Sequence, residues 1–284
     1  MILLSLPRRR TILATAALLS TVVALGAASP ALLAQTPAAR TAATAEAAPT
    51  RSGHAEVAGA RFYYEVHGDP ASDKTPLLVL HGAFMSGEAM RPFVTPFVAS
   101  RPVITIDARG HGRTGDIGGT MSYDQLADDA AGVLAALGVK RADVLGYSMG
   151  GSTAIALAVR HPRLIDKQVV VSGGASLVEA IKHIDAVPFA YSDAQLRAIP
   201  GKTMIVLGDA DGLTLDHAVK LFRLRGGSDL ATATQGFMTA PPKARLSVLP
   251  GTSHIGIMAE AATIAAQALP FLDEQTPPMP EGFF

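Results

Sequence analysis

A serine hydroxyl attacks a carbonyl only when a neighbouring base takes its proton. The residues of interest are therefore a serine in an unusual turn and a histidine able to reach it. The stretch Val144-Leu145-Gly146-Tyr147-Ser148-Met149-Gly150-Gly151 supplies the serine. It passes from an apolar, strand-like segment through Gly-x-Ser-x-Gly into Ser152-Thr153-Ala154-Ile155-Ala156-Leu157-Ala158, which reads as a tightly packed helix. Gly146 and Gly150 omit the Cβ atoms that would collide in so sharp a turn, so Ser148 can present its Oγ outward, beside the positive end of the helix. An ordinary serine in a Gly-rich turn is the bland alternative, and the rest of the chain argues against it. Eight histidines compete for the base. His54 and His67 lie in the leading strands, His81 and His111 precede the serine, His161 ends a helix, and His183 falls in an expected lid. His254 follows the apolar strand Leu246–Leu249 through Pro250-Gly251-Thr252-Ser253, in a loop at the working edge of the sheet; His217 is the runner-up. Asp209 and Asp211 both follow the strand Thr203–Leu207, and either could orient the imidazole.

The elements that must position these groups alternate. His54 to His67 reads as two strands around Ala58-Gly59, with Phe62 and Tyr64 on one face. Leu77–Leu80, Val103–Ile106, Gln168–Val171, Thr203–Leu207 and Leu246–Leu249 read as buried strands. Helices are expected at Glu88–Ala99 (interrupted by Pro92 and Pro96), Ser122–Leu137, the segment after Ser148 up to His161, and Ile255–Leu272. Ser122 suits an N-cap and Gly138 a C-cap. Such alternation predicts an α/β fold whose mostly parallel sheet is covered on both faces.

Composition narrows the function. The 284 residues are 49% hydrophobic and 17% charged, enough for a large core. Lysine plus arginine match aspartate plus glutamate at 24 each, which argues against nucleic acid as the main partner. Without cysteine there is no disulfide, thiolate metal site or cysteine nucleophile. No spacing suggests a metal site, and the glycines around Ser148 lack a phosphate-binding lysine, so neither metal nor cofactor is called for.

The N-terminus reads as an address. Arg8-Arg9-Arg10 precede an uncharged apolar run from Thr11 to Ala28, followed by small residues to Ala34. This is the pattern of a signal peptide over residues 1–34, and of export to the periplasm or medium. Arg9-Arg10-Thr11-Ile12-Leu13 weakly resembles a twin-arginine signal, and an uncleaved membrane anchor is the competing reading. Residues 35–53, mostly alanine, threonine and proline, read as a flexible linker, with order beginning near His54. The main domain spans 54–273, and 274–284 is a tail.

Five fragments in this order resemble the α/β-hydrolase family: His81-Gly82, Asp107-x-Arg109-Gly110-His111-Gly112, Gly146-x-Ser148-x-Gly150, Gly208-Asp209-x-Asp211 and His254. The resemblance covers roughly residues 54–273. It implies a triad of Ser148, Asp211 and His254, favouring Asp211 over Asp209 as the acid. It also implies an oxyanion hole from the backbone N–H groups of Ala83 and Met149, with Phe84 possible. Some relatives carry the acid after the preceding strand, but here that edge reads Val171-Ser172-Gly173-Gly174, with no carboxylate. Asp107, Arg109 and His111 are expected to brace a loop. Relatives often carry a large cap, whereas here about 173–201 leaves room for one helix; a second excursion spans about 212–245 and is a possible replacement lid, its Leu215–Leu224 face then covering the pocket. Phe84 and Tyr147 are the expected substrate-binding residues, with Met85, Met149, Phe189, Tyr191 and Phe222 as further candidates for the wall.

The expected function is an exported serine hydrolase of carboxylic esters, acting on a small molecule through an acyl-enzyme. Other chemistry of the same triad (perhydrolysis, carbon–carbon hydrolysis, lyase activity) and a non-catalytic ligand-binding protein on this fold are the alternatives. The sequence does not give the oligomeric state. Export has a direct test: protein recovered outside the cytoplasm should begin between about Ser29 and Arg40 on N-terminal sequencing. Soluble cytoplasmic protein that retains Met1 would refute it.

Overall fold

A computed structural model describes residues 48–119, 121–176, 190–228, 238 and 240–276, all within the compact unit Ala45–Phe284. The expected signal segment and most of the linker lie outside the described residues. The chain opens on a hairpin of β1 (Arg51–Val57) and β2 (Ala60–His67). Ala58 and Gly59 both take positive φ, at 50° and 82°, the twist that lets a two-residue turn join right-handed strands. The first strand therefore starts three residues before His54, and Arg51 to Gly53 belong to the sheet instead of the linker.

The described strands form one eight-stranded sheet in the order β1-β2-β4-β3-β5-β6-β7-β8. Here β3 is Leu77–Leu80, β4 Val103–Ile106, β5 Ala142–Tyr147, β6 Ile165–Val171, β7 Lys202–Ala210 and β8 Ala244–Ser253. Only the β1–β2 and β2–β4 pairs are antiparallel; from β4 to β8 the sheet is parallel. Every residue of β3, β4 and β5 is buried, as both faces of a parallel sheet must be. One face packs Leu78, Ile104 and Val144 against Val133, Leu134, Ile155 and Leu157 from α2 (Tyr123–Ala136) and α3 (Met149–Arg160). The other packs Leu77, Val79 and Leu145 against Phe93 and Phe271 of α1 (Arg91–Val94) and the final helix.

Local chemistry sets the helix limits. The Ser122 hydroxyl accepts the Gln125 N–H at 3.1 Å, capping α2, and Gly138 closes it at φ 76°. The expected helix Glu88–Ala99 shrinks to a 3-10 turn (Glu88–Met90) plus the single turn of α1. Pro92 fits the start of that turn, but Pro96 has no N–H with which to continue it. Between 173 and 201 the described helix is α4 (Asp193–Ala198), and α5 (Leu215–Leu224) follows β7. The closing helix begins as a 3-10 turn (Gly256–Glu260) and becomes α6 (Ala261–Leu272).

The two longest strands reach beyond the core. Both β7 and β8 outrun the expected apolar runs, and their pairing continues past a bulge to Ala210 opposite Ser253. Gly208 permits this, because a Cβ there would lie 1.8 Å from the Thr252 carbonyl oxygen. Gly208→Ala should therefore cost roughly 2–4 kcal/mol in chemical denaturation. Gly212→Ala, whose added Cβ meets nothing within 4 Å, should stay within about 0.5 kcal/mol of the parent.

Candidate active site

Ser148 leaves β5 at φ 54° and ψ −115°, a conformation that L residues avoid. Two close approaches hold it there. A Cβ on Gly146 would come 2.1 Å from the Gly150 carbonyl oxygen, and one on Gly150 would come 2.3 Å from that of Leu80. The Ser148 N–H donates to the Val171 carbonyl at 2.9 Å, tying the turn to the neighbouring strand. The hydroxyl is thus fixed at the N-terminus of α3, whose first N–H groups have no partner inside the helix.

The paired ends of β7 and β8 deliver the other two groups. Asp211 follows Ala210 and His254 follows Ser253, so the Ala210–Ser253 pair sets them side by side. His254 Nε2 lies 2.9 Å from Ser148 Oγ, and its Nδ1 lies 2.8 Å from Asp211 Oδ1. The Asp211 side chain is wholly buried, whereas that of His254 is a third exposed at 33%. Burial alone would push the Asp211 carboxyl up. The His254 ring, the Leu213 N–H and the Ser172 hydroxyl together outweigh it and hold the carboxyl below the ordinary carboxylate range. The stability this network contributes is accordingly present above about pH 4 and is lost only as pH falls through the lower folded value.

Asp209, the competing acid, is exposed on β7 and accepts the Thr252 N–H at 3.3 Å, fastening the loop that carries His254. His217, the competing base, is buried on α5, where its Nε2 accepts the Ala175 N–H at 3.1 Å. His81 holds two loops together: Nδ1 faces the Gly82 carbonyl at 2.7 Å and Nε2 accepts the Ala108 N–H at 3.0 Å. Burial pushes its pKa down, which preserves the neutral ring this double role requires. Asp107 accepts the N–H groups of Gly87 and Arg113, each at 2.7 Å, and Arg109 grips Asp129 through two bonds of 2.6 and 2.8 Å. These residues brace loops, as expected. His183 and Phe189 lie outside the described residues.

The expected wall residues divide between core and surface. Tyr147 is 2% exposed and packs in the core. Its hydroxyl donates to the His254 carbonyl at 2.8 Å, and the two rings lie 5.5 Å apart. Burial, then the Asp211 charge, raises its pKa and keeps this donor protonated. Phe222 is packed against Gly227 on the core side of α5, and the Tyr191 hydroxyl bonds to Asp124. Phe84, by contrast, is 100% exposed at φ 61°. Among the described residues the N–H groups of Ala83 and Met149 make no backbone hydrogen bond in the loops that carry them. The apolar face of α5 (Ala218, Leu221, Leu224) packs on the core, and much of the remaining excursion lies outside the described residues.

Ser172 was missed by sequence reasoning. It is buried directly after β6, at φ 51°, and donates to Asp211 Oδ2 at 2.5 Å. Its only signal was a hydroxyl at the strand edge where some relatives carry the acid.

Residues 75–255 match the model of the alpha/beta hydrolase fold family, and the chain belongs to that family. Two curated relatives are similar in sequence. RutD of Caulobacter sp. (strain K31), named for carbamate hydrolysis, is 32% identical over 159 residues, 55% of this chain and 59% of RutD. The sn-1-specific diacylglycerol lipase ABHD11 of Danio rerio is 33% identical over 138 residues, 48% of this chain and 43% of the lipase. The chain thus spans less than two thirds of either relative. Among solved structures, an enol-lactonase from Burkholderia xenovorans LB400 shares the fold at TM-score 0.64 and 19% identity, covering 78% of this chain and all of that one. A meta-cleavage product hydrolase from Pseudomonas fluorescens IP01 does so at 0.63 and 17%, covering 78% of this chain and 97% of its own.

Ser172→Gly isolates the missed residue. It removes the donor while placing glycine at a positive φ it adopts freely, so relieved strain offsets the lost hydrogen bond. Stability should change by no more than about 1 kcal/mol while the fluorophosphonate labelling rate of Ser148 falls about tenfold. Equal labelling rates would show the Asp211 contact to be idle.

Proposed function

We propose that the protein is an exported serine hydrolase of carboxylic esters that works through an acyl-enzyme. The observation that carries this reading is the line from Ser148 Oγ to His254 Nε2 at 2.9 Å and from His254 Nδ1 to Asp211 Oδ1 at 2.8 Å. His254 removes the Ser148 proton as Oγ adds to the substrate carbonyl, and Asp211 orients the ring and stabilises its charged form. The Ala83 and Met149 N–H groups receive the developing oxyanion, each worth roughly 3 kcal/mol in a preorganised site. His254 then protonates the departing alcohol, and water reverses the sequence to release the acid. The export part of the proposal rests on the arginines and the uncharged run from Thr11 to Ala28.

A second reading has an observation of its own: similarity to RutD, named for carbamate hydrolysis, across 55% of this chain. A carbamate carbonyl would meet the same serine and the same donors, but nitrogen donation makes it less electrophilic, so the demand on the oxyanion hole is greater. Matched pairs of esters and carbamates with a common alcohol separate the two by kcat/KM. We expect the ester to be favoured at least tenfold; the reverse ratio would assign the site to carbamates.

The mechanism itself is checked at Ser148. A fluorophosphonate should label the folded protein once, at Ser148. Ser148→Ala should abolish labelling and lower turnover by about 10⁴-fold or more. A label on another residue, with Ser148 untouched, would sink the proposal.

A further inference from the structure

Non-glycine residues in the left-handed region are uncommon, and a bulky one is an outlier that the surrounding fold must hold in place. Three such residues follow β3, β5 and β6, which are neighbours in the sheet: Phe84 at φ 61°, Ser148 at 54° and Ser172 at 51°. Two have a use within the folded chain, since Ser148 bonds to His254 and Ser172 to Asp211. Phe84 has none. It is 100% exposed, so its ring contributes nothing to the core, and glycine would occupy the same backbone more comfortably. Among the described residues nothing packs on that ring, so no contact within them justifies a phenylalanine there.

Its position says what does. Phe84 immediately follows Ala83, the expected oxyanion donor, in a loop lying against Tyr147. A Cβ on Gly82 would lie 3.0 Å from the Tyr147 ring. The same tyrosine bonds to the His254 carbonyl at 2.8 Å, and the next residue, Ile255, is 74% exposed. Two exposed apolar side chains therefore sit one residue beyond two groups that would handle the scissile carbonyl, on loops joined through one buried ring. We infer that Phe84 and Ile255 form an apolar lip that binds the aryl or extended alkyl group of the substrate, next to its carbonyl. The inference rests on the proposed serine-hydrolase activity and adds a substrate class to it: carboxylic esters with a large apolar substituent, held at the mouth of an open site.

The test reads reactivity at Ser148, so it requires no natural substrate. Methyl, hexyl and benzyl fluorophosphonates are compared by second-order labelling rate, below their aggregation concentrations, on the full chain. The parent should favour hexyl or benzyl over methyl by about tenfold, the size expected of apolar contact at a binding site. Phe84→Gly and Ile255→Ser should each erode that preference, read as the ratio of the hexyl or benzyl rate to the methyl rate, and Phe84→Leu should keep most of it. The melting temperature of Phe84→Gly should equal or exceed the parent's. A preference that survives both substitutions overturns the lip, as does an equal loss for all three probes, which would mean damage to the oxyanion loop. A preference seen only above aggregation would instead assign these side chains to a lipid surface and overturn the proposal. Absence of any label at Ser148 in the parent would bring down the hydrolase reading first and the lip with it.

Discussion

The site depends on two strands staying paired after the sheet has done its work in the core. Up to Leu207, β7 buries apolar side chains, and β8 buries Ala244 and Leu249; beyond them, the pairing of Ala210 with Ser253 buries almost nothing. What it does is deliver Asp211 and His254 together. The approach is so close at Gly208 that any side chain would drive the strands apart, and Asp209 adds a bond to the Thr252 N–H. A histidine on a free loop would sample many positions, and each ångström of misplacement weakens proton transfer. Here the backbone ladder removes that freedom before a substrate arrives.

The same economy governs the buried side of the site. Tyr147 belongs to the core, yet its hydroxyl reaches the His254 carbonyl. The strand that presents Ser148 thereby also holds the loop of His254. Ser172 performs the matching task for Asp211, and with the Leu213 N–H at 3.0 Å and the His254 ring it surrounds a carboxylate that has no exposed surface. A buried charge is tolerable only with its acceptor capacity used. These donors therefore orient Asp211 and at the same time make its ionised form compatible with burial.

Strain is concentrated where these tasks meet. Phe84, Ser148 and Ser172 adopt positive φ at the ends of three adjacent strands. A fold selected for stability alone would place glycine at each. Residues that oppose local preference persist when the structure around them is stable enough to absorb about 1–3 kcal/mol apiece. The two apolar layers of the central sheet provide that reserve.

Much of this was legible in the chain itself. Apolar runs and caps marked β3, β4, β5 and α2, because burial on both faces of a parallel strand and capping at a helix end leave local signals. The glycines at 146 and 150 marked Ser148, since a turn that tight excludes Cβ atoms whatever surrounds it. Other features depended on pairing between distant segments, which no local pattern records. Nothing in Lys202–Ala210 alone says that the strand continues past its apolar stretch, because its last residues are ordered by hydrogen bonds to β8 and not by burial. Tyr147 stands next to Ser148 in sequence, yet alternation along the strand packs its ring into the layer of Leu145, where its hydroxyl meets the His254 carbonyl. Ser172 carried no signal beyond its hydroxyl until the fold set it 2.5 Å from Asp211. The sequence by itself determined the architecture and marked the turn that carries Ser148, since both follow from local sterics and hydrophobic pattern; the tertiary structure alone decided which side chains surround Ser148, His254 and Asp211, since that depends on contacts between residues far apart in the chain.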